Sequence, residues 1–572
     1  NSSHALERRK EGIPSKEEMH DPLEDVVSGM AIAGAVAASL YGLRLILAPI
    51  RNKSVLNEPS VAKSGHSWTI EPFFNKGYFC SICEQNLTGG YSCSHCRLRV
   101  DDVRCLHLAS TEKSCKVNPK TTSARRLKHH WVLGNLEPDD FCAICEEPCG
   151  EDPGLNDFWC PWCCRAVHND CKRELPELCD RGTHGRSIIP PNCVTLRKGG
   201  SRNQKEMVIE TLSIPPDIVN FTPVFVVCNP KSGSGAGDHV MKMFKTVLHP
   251  CQIMDVTRCN MGSCFRFLDD HPDISARVLI CGGDGTISSV LNDLEGLENR
   301  PSIAILPLGT GNDLSRILNW GTESDGRFAL KEVVIHLLTK RQLIDHRLKI
   351  VNLVTEIQEA EIQPLDRWRI AIEADRKVGT EKVDTRIETM TNYFSLGVDA
   401  RVTFGMQTTR SSVPKSLSSR MFNKFLFFSY GTFDLFTRTH QNLQEKIELF
   451  LDGVQYNFTE PIEGLVFLNI QCWGAGVKVW RETENDDQPQ LLDDKKFEVF
   501  AVRSSFHIAK LQVGMSAPLR IGQASEAEIK TKFEGIHMQS DGEAWLQCPS
   551  TVKITHKCQA QMLKRIVPPV NP

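Results

Sequence analysis

The spacing of cysteine and histidine residues in the first third of the chain constrains the fold more than any other feature. Fourteen of the 23 cysteines lie between Cys80 and Cys179, largely as Cys-x2-Cys pairs with histidines nearby. From His129 the pattern runs His-x12-Cys-x2-Cys-x14-Cys-x2-Cys-x4-His-x2-Cys-x7-Cys, which supplies eight soft ligands for two tetrahedral zinc ions. Such clustering in a long chain favours zinc in a reducing compartment over a disulfide framework. Free thiols packed in a core explain so complete a set poorly.

Residues 129–180 resemble the cysteine-rich, diacylglycerol-binding module of protein kinase C, in which the ligands of two zinc ions interleave. The resemblance implies one ligand set of His129, Cys160, Cys163 and Cys179, and a second set of Cys142, Cys145, His168 and Cys171. Neither this module nor its upstream copy has the proline and glutamine-glycine loop signature associated with tight phorbol-ester binding. We therefore interpret both as scaffold or membrane-apposition modules rather than high-affinity lipid sensors.

The upstream copy, at residues 65–116, is less regular. Its zinc-ligand candidates are His66, Cys80, Cys83, Cys93, Cys96, Cys105 and Cys115. Where the pattern requires a histidine after Cys96, the sequence offers Asp101 or Asp102, and His107 is a third candidate. Because a carboxylate can ligate zinc, two sites are predicted in this module as well.

A hydrophobic membrane segment is predicted at residues 26–50, after a polar tail at residues 1–25. The run from Val26 to Leu43 carries no charge and is just long enough to enter or cross a bilayer. Three basic residues on its C-terminal flank predict that the rest of the chain faces the cytosol: Arg44, Arg51 and Lys53. The expected location is the membrane of the endoplasmic reticulum or the plasma membrane, which these residues do not themselves distinguish. A buried soluble helix is the alternative, because alanine-rich runs are only weakly hydrophobic.

A nucleotide-binding domain is predicted at residues 220–345, after a linker at residues 181–219 without regular structure. Three β-prone runs each lead into a glycine-rich turn and then a helical pattern, in "VFVVCNPKSGSGAGD", "RVLICGGDGT" and "SIAILPLGTGND". One such turn is weak evidence, but three predict a parallel sheet whose turns meet at one edge and cradle phosphate. The candidate nucleotide-binding residues are Asn229, Ser232, Gly233, Gly235, Gly282, Gly283, Gly285, Thr286, Gly309, Thr310, Gly311, Asn312 and Asp313.

Asp284 stands among three glycines in the second of these turns. A carboxylate beside a bound phosphate is costly unless a cation lies between the two or the carboxylate has proton-transfer work to do. Asp284 is therefore the first candidate for a catalytic residue.

The motifs "GGDGT" (282–286) and "PLGTGND" (307–313) resemble those of the diacylglycerol kinase catalytic domain, whose relatives include sphingosine and NAD kinases. The C-terminal third separates these relatives, because five of its motifs resemble the accessory half of eukaryotic diacylglycerol kinases. They are "LDRW" (365–368), "NYFSLGVDA" (392–400), "GLVFLNIQCWGAG" (464–476), "LRIG" (519–522) and "QSDGEAW" (539–545). The order of hydrophobic segment, two zinc modules and kinase resembles the epsilon type.

The resemblance implies transfer of phosphate from Mg2+-bound ATP to the 3-hydroxyl of 1,2-diacylglycerol, which gives phosphatidic acid. Such an enzyme attenuates diacylglycerol and protein kinase C signalling, feeds phosphatidylinositol resynthesis and, in the epsilon type, prefers an arachidonoyl chain. Asp284 would accept or position the proton of the attacking hydroxyl, since phosphoryl transfer needs chiefly positioning and charge neutralisation. The partners implied are membrane lipids, and the net charge of −3 gives no indication of a nucleic-acid partner.

Further carboxylates are candidates for catalysis, metal binding or orientation. Glu543 and Asp399 are predicted as catalytic residues beside Asp284, and Asp313, Asp366 and Asp541 are additional candidates. Asp313 could instead cap its helix, Asp366 could form a surface ion pair, and Asp541 before Gly542 could occupy a hairpin turn.

The predicted fold is multidomain. Two small zinc-stapled α+β modules precede the α/β nucleotide-binding domain and a β-rich accessory domain at residues 365–560, and the last two form an interdomain cleft.

Residues 418–431, "SSRMFNKFLFFSYG", are a candidate for lipid contact, with an ordinary buried helix as the alternative. Residues 340–364 are longer than the family pattern, which indicates an insertion or a mistranslated intron. A sphingosine or ceramide kinase and a catalytically silent membrane scaffold remain as alternative functions.

Overall fold

The part of the chain described by the computed structural model begins at residue 65. It comprises residues 65–74, 77–117, 127–137, 140–199, 206–232, 236–309, 311–322, 346–374, 377–378, 381–382, 385–412, 441–474, 476–480 and 489–567. The predicted membrane segment and the stretch 418–431 lie outside these residues. Within them, no helix combines the length and the apolar character needed to cross a bilayer.

Short strands and tight turns build both zinc modules. The first module contains β1 Trp68–Glu71, β2 Tyr78–Phe79, β3 Asn86–Leu87, β4 Gly90–Cys93, β5 Arg99–Val100 and helix α1 Val103–Glu112; the second contains β6 Val132–Leu133, β7 Phe158–Trp159 and β8 Ala166–Val167. In the second module the only helical segment of the described residues is a 3-10 turn at Cys171–Glu174, so the predicted α+β character holds for the first module alone. The turn ends at Leu175, which is extended because Pro176 follows it.

The segment predicted as an unstructured linker is instead folded and packed, so that prediction was wrong. An antiparallel hairpin is formed by β9 Val194–Gly199 and β10 Glu206–Leu212. Val208, Ile209 and Leu212 of β10 are buried, and the register shift between Ile209 and Thr211 interrupts the alternation by which a strand is recognised in a sequence. Gln252 of the next domain donates from Nε2 to the Ser187 carbonyl at 2.7 Å, which ties the segment down.

A parallel sheet with helices forms the next domain, as predicted. Its elements are β11 Val224–Cys228, α2 Ala236–Val247, β12 Ile253–Asp255, α3 Met261–Phe265, β13 Arg277–Gly282, α4 Asp284–Leu294, β14 Ser302–Pro307, α5 Asp313–Ile317 and α6 His346–Glu359. The strands lie in the order β12-β11-β13-β14, all parallel, and β11 and β14 are buried along their whole length. Because parallel strands end at the same edge, the three glycine turns lie on one side of the sheet.

Helix α6 explains most of the stretch at 340–364 that the sequence left without an explanation. Ile350, Leu353, Val354 and Ile357 follow the i, i+3, i+4, i+7 pattern of an amphipathic helix, and each is at most 2% exposed. Arg277 at the start of β13 donates to the Ala360 carbonyl at 3.0 Å. The stretch therefore covers the sheet and belongs to the core of the domain.

The C-terminal half is a sandwich of two sheets. Its elements are β15 Glu361–Ala374, β16 Lys377–Val378, β17 Glu381–Lys382, β18 Thr385–Met390, β19 Tyr393–Gly397, α7 Val398–Ser412, α8 Leu443–Lys446, β20 Ile447–Leu451, β21 Val454–Tyr456, β22 Gly464–Leu468, β23 Phe497–Val502, α9 Ser505–Gln512, β24 Leu519–Ala524, β25 Glu526–Thr531, β26 Ile536–Ser540, β27 Glu543–Gln547 and β28 Ser550–Lys564. One sheet is antiparallel in the order β24-β23-β22-β19-β26-β27. It packs on β15, β20, β25 and β28 through a common apolar core that includes Trp368, Phe394, Phe467 and Ile529.

Strand β28 joins the two halves of the catalytic region. It pairs antiparallel with β15 along almost its whole length and with β25, and it also lies parallel to β14, with Met562 opposite Ile303. The chain thus returns to the nucleotide-binding sheet with its last strand. The two domains consequently share one continuous sheet.

Lys116 fastens the zinc region to the nucleotide-binding domain. Its fully buried ammonium group donates to the carbonyls of Thr246 and Leu248, at 2.9 and 3.1 Å, at the C-terminal end of α2. It also lies 4.9 Å from the ring of Trp162 in the second zinc module. A cation at this end of a helix is stabilised by the helix dipole, so Lys116 links the end of α2 to both zinc modules.

Candidate active site

The second and third glycine turns touch each other at the sheet edge. A Cβ atom on Gly309 would lie 2.5 Å from the Gly283 Cα atom, and one on Gly283 would lie 2.9 Å from the Gly309 Cα atom. No side chain fits at these two positions. The close approach requires glycine at both, and it places the N-terminus of α4 beside the turn that leads into α5.

The first turn is closed by Asn229. Its Oδ1 atom accepts from the Lys231 N–H at 3.0 Å, and its backbone carbonyl accepts from the Ser232 N–H at the same distance. A Cβ atom on Gly237 would lie 2.3 Å from this carbonyl, so α2 starts directly against the end of β11. Three predicted nucleotide-binding residues lie outside the described residues: Gly233, Gly235 and Thr310.

Two further predicted residues shape the turns from within. Thr286 packs beneath the end of β13, where a Cβ atom on Gly282 would come within 2.6 Å of its side chain. Asn312 has a φ of 53°, a conformation that asparagine tolerates better than most residues. Its Nδ2 atom donates to the Gly309 carbonyl at 3.0 Å. Thr286 and Asn312 therefore support the turns through contacts within the protein.

Gly285 faces open space in the first turn of α4. A Cβ atom there would meet nothing within 4 Å, and the residue is exposed. Packing within the protein thus gives no reason for a glycine. Open space above a helix N-terminus is where an anion binds, because the first N–H groups of the helix lack partners within the helix.

Asp284 lies at the centre of this arrangement. Its carboxylate oxygens accept from the backbone N–H groups of Asp313 and Leu314, both at 3.4 Å, at the start of α5. Burial and then the neighbouring Asp313 carboxylate raise the pKa of the Asp284 carboxyl to about 6, although the two backbone N–H groups lower it. A carboxyl group with such a pKa is suited to accepting a proton near neutral pH.

The other two predicted catalytic carboxylates lie in the accessory domain. Asp399, in the first turn of α7, is buried and accepts from the Ser395 hydroxyl at 2.5 Å. Burial raises the pKa of Asp399 to about 6, although its hydrogen bonds lower it. Glu543 is exposed at the start of β27 and accepts from Gln407 Nε2 at 2.9 Å.

Asp366 and Asp541 both have structural roles in the accessory domain. Asp366 is fully buried, accepts from the Lys495 N–H at 2.6 Å and Gln559 Nε2 at 3.0 Å, and lies 2.9 Å from His556 Nε2, so the surface position assumed in the ion-pair alternative is wrong. Asp541 occupies the hairpin turn between β26 and β27 with a φ of 50°, as the Asp-Gly pair indicated.

Sequence reasoning did not single out Tyr393. Burial, followed by the charges of Asp399, Asp313, Asp541 and Asp284, raises the pKa of its phenol well above the usual value. The ring thus lies within electrostatic reach of carboxylates from both domains. The motif "NYFSLGVDA" contained the residue, but only the fold brings it near the others.

The zinc-ligand candidates converge into four groups of four. In each group the ligand atoms lie within 4.8 Å of one another, and the groups are His66, Cys93, Cys96 and Cys115; Cys80, Cys83, Asp101 and Cys105; His129, Cys160, Cys163 and Cys179; and Cys142, Cys145, His168 and Cys171. Each group offers four ligand atoms, three thiolates with either an imidazole or, in one group, a carboxylate, and this number matches the tetrahedral coordination that Zn2+ prefers. In the first module the carboxylate that joins a ligand group is that of Asp101. Asp102 instead caps α1 by accepting from the Cys105 N–H at 2.8 Å.

Replacing Gly285 tests the open position above α4. We expect Gly285→Ala to keep or raise the melting temperature, because alanine favours a helix by about 1 kcal/mol over glycine. It should weaken Mg2+-ATP binding by roughly tenfold, about 1.4 kcal/mol, because the added methyl group occupies the space for phosphate. Calorimetric titration and thermal melting measure the two effects.

Gly309→Ala provides the contrast. Its Cβ atom would clash with the Gly283 backbone, so this variant should lose both nucleotide affinity and about 1–3 kcal/mol of stability. Unchanged nucleotide affinity in Gly285→Ala would show that the open position is not a phosphate site.

The sheet, its three turns and the central carboxylate form a candidate phosphate-binding site, which two modules with zinc-ligand groups precede. Comparison with known families names the domains. Residues 223–345 match the diacylglycerol kinase catalytic domain, residues 389–544 match the diacylglycerol kinase accessory domain, and residues 129–182 match the phorbol esters/diacylglycerol binding domain (C1 domain). The chain is therefore similar to diacylglycerol kinases in three separate regions, which match the catalytic, accessory and C1 domains.

Two relatives and one solved structure are similar to this chain. The chain is 28% identical over 548 residues to "Probable diacylglycerol kinase 3" of Caenorhabditis elegans, an alignment that covers 88% of this chain and 64% of the relative. It is 28% identical over 645 residues to diacylglycerol kinase 2 of Arabidopsis thaliana, covering 90% of this chain and 86% of the relative. The chain thus spans just under two thirds of the nematode protein. A solved diacylglycerol kinase from Bacillus anthracis strain Sterne is similar at 16% identity and a TM-score of 0.34, over 61% of this chain and 98% of that one.

Proposed function

We propose that this chain is an ATP-dependent kinase that phosphorylates the 3-hydroxyl of 1,2-diacyl-sn-glycerol and releases phosphatidic acid. The observation that carries the proposal is the place of Asp284, between two glycine turns and below the open position at Gly285. The catalytic and accessory domain matches supply the acceptor class, since they are the domains of diacylglycerol kinases.

ATP would bind with its phosphates against the glycine turns and the N-termini of α2 and α4. Backbone N–H groups and the helix dipoles favour the negative charge there. Mg2+ bound to the triphosphate would offset the remaining phosphate charge. These groups hold the nucleotide in place and need no covalent intermediate with the protein.

Asp284 would take the proton of the acceptor hydroxyl as its oxygen attacks the γ-phosphorus. Its pKa of about 6 leaves most of the carboxyl ionised at neutral pH and still able to accept a proton. The catalytic roles predicted for Glu543, exposed on the accessory hairpin, and for the buried Asp399 stay predictions.

Finer features of the function rest on the resemblance stated from the sequence. They are the epsilon type, a preference for arachidonoyl diacylglycerol, attenuation of protein kinase C signalling, and supply of phosphatidylinositol resynthesis. A lipid substrate requires work at a membrane surface, so we also propose that residues 26–50 anchor the chain with its kinase facing the cytosol at the endoplasmic reticulum or plasma membrane. The zinc modules would then hold the kinase against the bilayer.

A substrate panel tests the proposed reaction. Full-length protein and Mg2+-ATP labelled at the γ-phosphate are incubated in mixed micelles with stearoyl-arachidonoyl glycerol, dioleoyl glycerol, sphingosine or ceramide. Labelled phosphatidic acid as the main product supports a diacylglycerol kinase, and a higher rate with the arachidonoyl lipid supports the proposed preference. A labelled sphingoid or ceramide product would move the assignment to the other lipid kinases. ATP binding without any product would support the scaffold.

A further inference from the structure

The carboxylate of Asp541 is saturated with hydrogen bonds. Its Oδ1 atom accepts from the Asn392 N–H at 2.7 Å and the Tyr393 N–H at 3.1 Å, and its Oδ2 atom accepts from the Thr391 N–H at 2.8 Å. The fourth donor is the hydroxyl of Ser288, 2.9 Å from Oδ2. Hydrogen bonds to an ionised carboxylate are about twice as strong as those between neutral groups. The first three fix Asp541 within the accessory domain, and the fourth reaches across to the nucleotide-binding domain.

Ser288 lies on α4, four residues after Asp284. Residues four apart in a helix share a face, so the contact with Asp541 acts on the face that carries Asp284. The Asp284 carboxylate itself accepts from the two N–H groups at the start of α5. The first turns of α4 therefore contact both α5 and the accessory hairpin.

The far end of α4 is also held by the accessory domain. The guanidinium of Arg367 on β15, which is 1% exposed, donates to the Leu291 carbonyl at 3.3 Å and to Asn292 Oδ1. Lys557 on β28 pairs with Glu295 at 2.7 Å, just after the last residue of the helix. Contacts at both ends restrict the rotation of α4 about its axis and its translation along it.

We infer that Asp541 is a positioning residue that acts through Ser288 to set the rotation of α4, and with it the direction of the Asp284 carboxylate. The inference rests on the proposed function, because Asp284 is the proton acceptor of that reaction. Misplacing a catalytic group by about 1 Å can cost roughly 100-fold in rate, so one hydrogen bond at this point affects turnover without touching substrate. The accessory domain thereby contributes to catalysis by orienting a residue of the other domain.

Ser288→Ala removes this link and leaves the three backbone hydrogen bonds of Asp541 in place. Because alanine is a good helix former, the substitution is suited to a helix. We expect kcat to fall by about tenfold or more while KM for Mg2+-ATP changes less than about twofold, since the glycine turns are untouched. Ser288→Thr retains the hydroxyl and should recover most of the lost kcat.

The matched control is Ser289→Ala, which changes the exposed neighbour on the same helix and should leave kcat unchanged. Hydrogen exchange of residues 284–294 is followed in all variants, and Ser288→Ala alone should show faster exchange there. An unchanged kcat in Ser288→Ala, an equal loss in the control, or failure of the threonine variant to recover would overturn the inference.

The design separates this inference from the proposed function. Turnover is compared with whichever acceptor supports the parent protein, so a parent inactive towards diacylglycerol but active on another lipid refutes only the proposed substrate. If the parent transfers phosphate to no acceptor, the proposed function fails. In that case hydrogen exchange alone tests the contact between Ser288 and Asp541. Unchanged exchange of residues 284–294 in Ser288→Ala would show that this contact does not position α4.

Discussion

Asp284→Asn is expected to reduce phosphate transfer to diacylglycerol by about 100- to 10,000-fold, the range usual for loss of a general base. The amide is isosteric with the carboxylate but cannot take the proton of the attacking hydroxyl. Mg2+-ATP binding should persist, because the glycine turns and helix N-termini remain. Steady-state rates with labelled ATP in mixed micelles, alongside nucleotide titration, measure both quantities.

The same residue predicts the pH dependence of the parent protein. Since burial and Asp313 raise the pKa of Asp284 to about 6, the carboxyl group is protonated and unable to act as a base below that pH. The value of kcat/KM for Mg2+-ATP reports on the nucleotide-free protein, so it should fall by about tenfold per pH unit below 6 and level off above it.

The control for Asp284→Asn is Asp270→Asn, the same chemical change at an exposed position outside the site. It should retain the parent rate and pH profile. Parent-like transfer by a folded Asp284→Asn protein would exclude the base role, and a flat rate between pH 5 and 7 would place the titrating group elsewhere.

Local patterns made a large part of the fold predictable. Strand, glycine turn and helix follow one another within a few residues, so the sequence alone predicted the parallel sheet and the position of Asp284 on its edge. Ligand spacing likewise predicted eight zinc ligands in the second module, and the resemblance to the protein kinase C module implied the two groups that the structure brings together. In the first module the sequence could not separate Asp101 from Asp102, because neighbours in sequence differ only in the direction that the fold gives their side chains.

Features that depend on distant pairing were not predictable in this way. Nothing local indicates that β28 returns to lie beside β14, or that Asp541 reaches Ser288 across 253 positions of sequence. Helix α6 is a different case, since the spacing of Ile350, Leu353, Val354 and Ile357 was visible and predicts a helix.

Removing Asp101 should cost the first module one zinc ion. Its two carboxylate oxygens lie 3.6 Å from the Cys80 sulfur and 3.3 Å from the Cys83 sulfur, and these atoms share a ligand group with Cys105. Asp101→Ala leaves three ligands at that site, so zinc measured by mass spectrometry should fall by about one ion per chain. Because zinc binding of such sites contributes roughly 10–16 kcal/mol to folding, the module should also lose its cooperative melting transition.

Asp102→Ala is the matched control, since Asp102 caps α1 with a hydrogen bond to the Cys105 N–H at 2.8 Å. We expect it to keep the parent zinc content and to lose only about 1 kcal/mol of stability, the usual contribution of an N-cap. Asp101→His supplies the imidazole that the regular pattern has at this point and should retain all of the zinc. If Asp102→Ala loses zinc and Asp101→Ala keeps it, the assignment is reversed. Asp102 would then be the carboxylate that holds the ion.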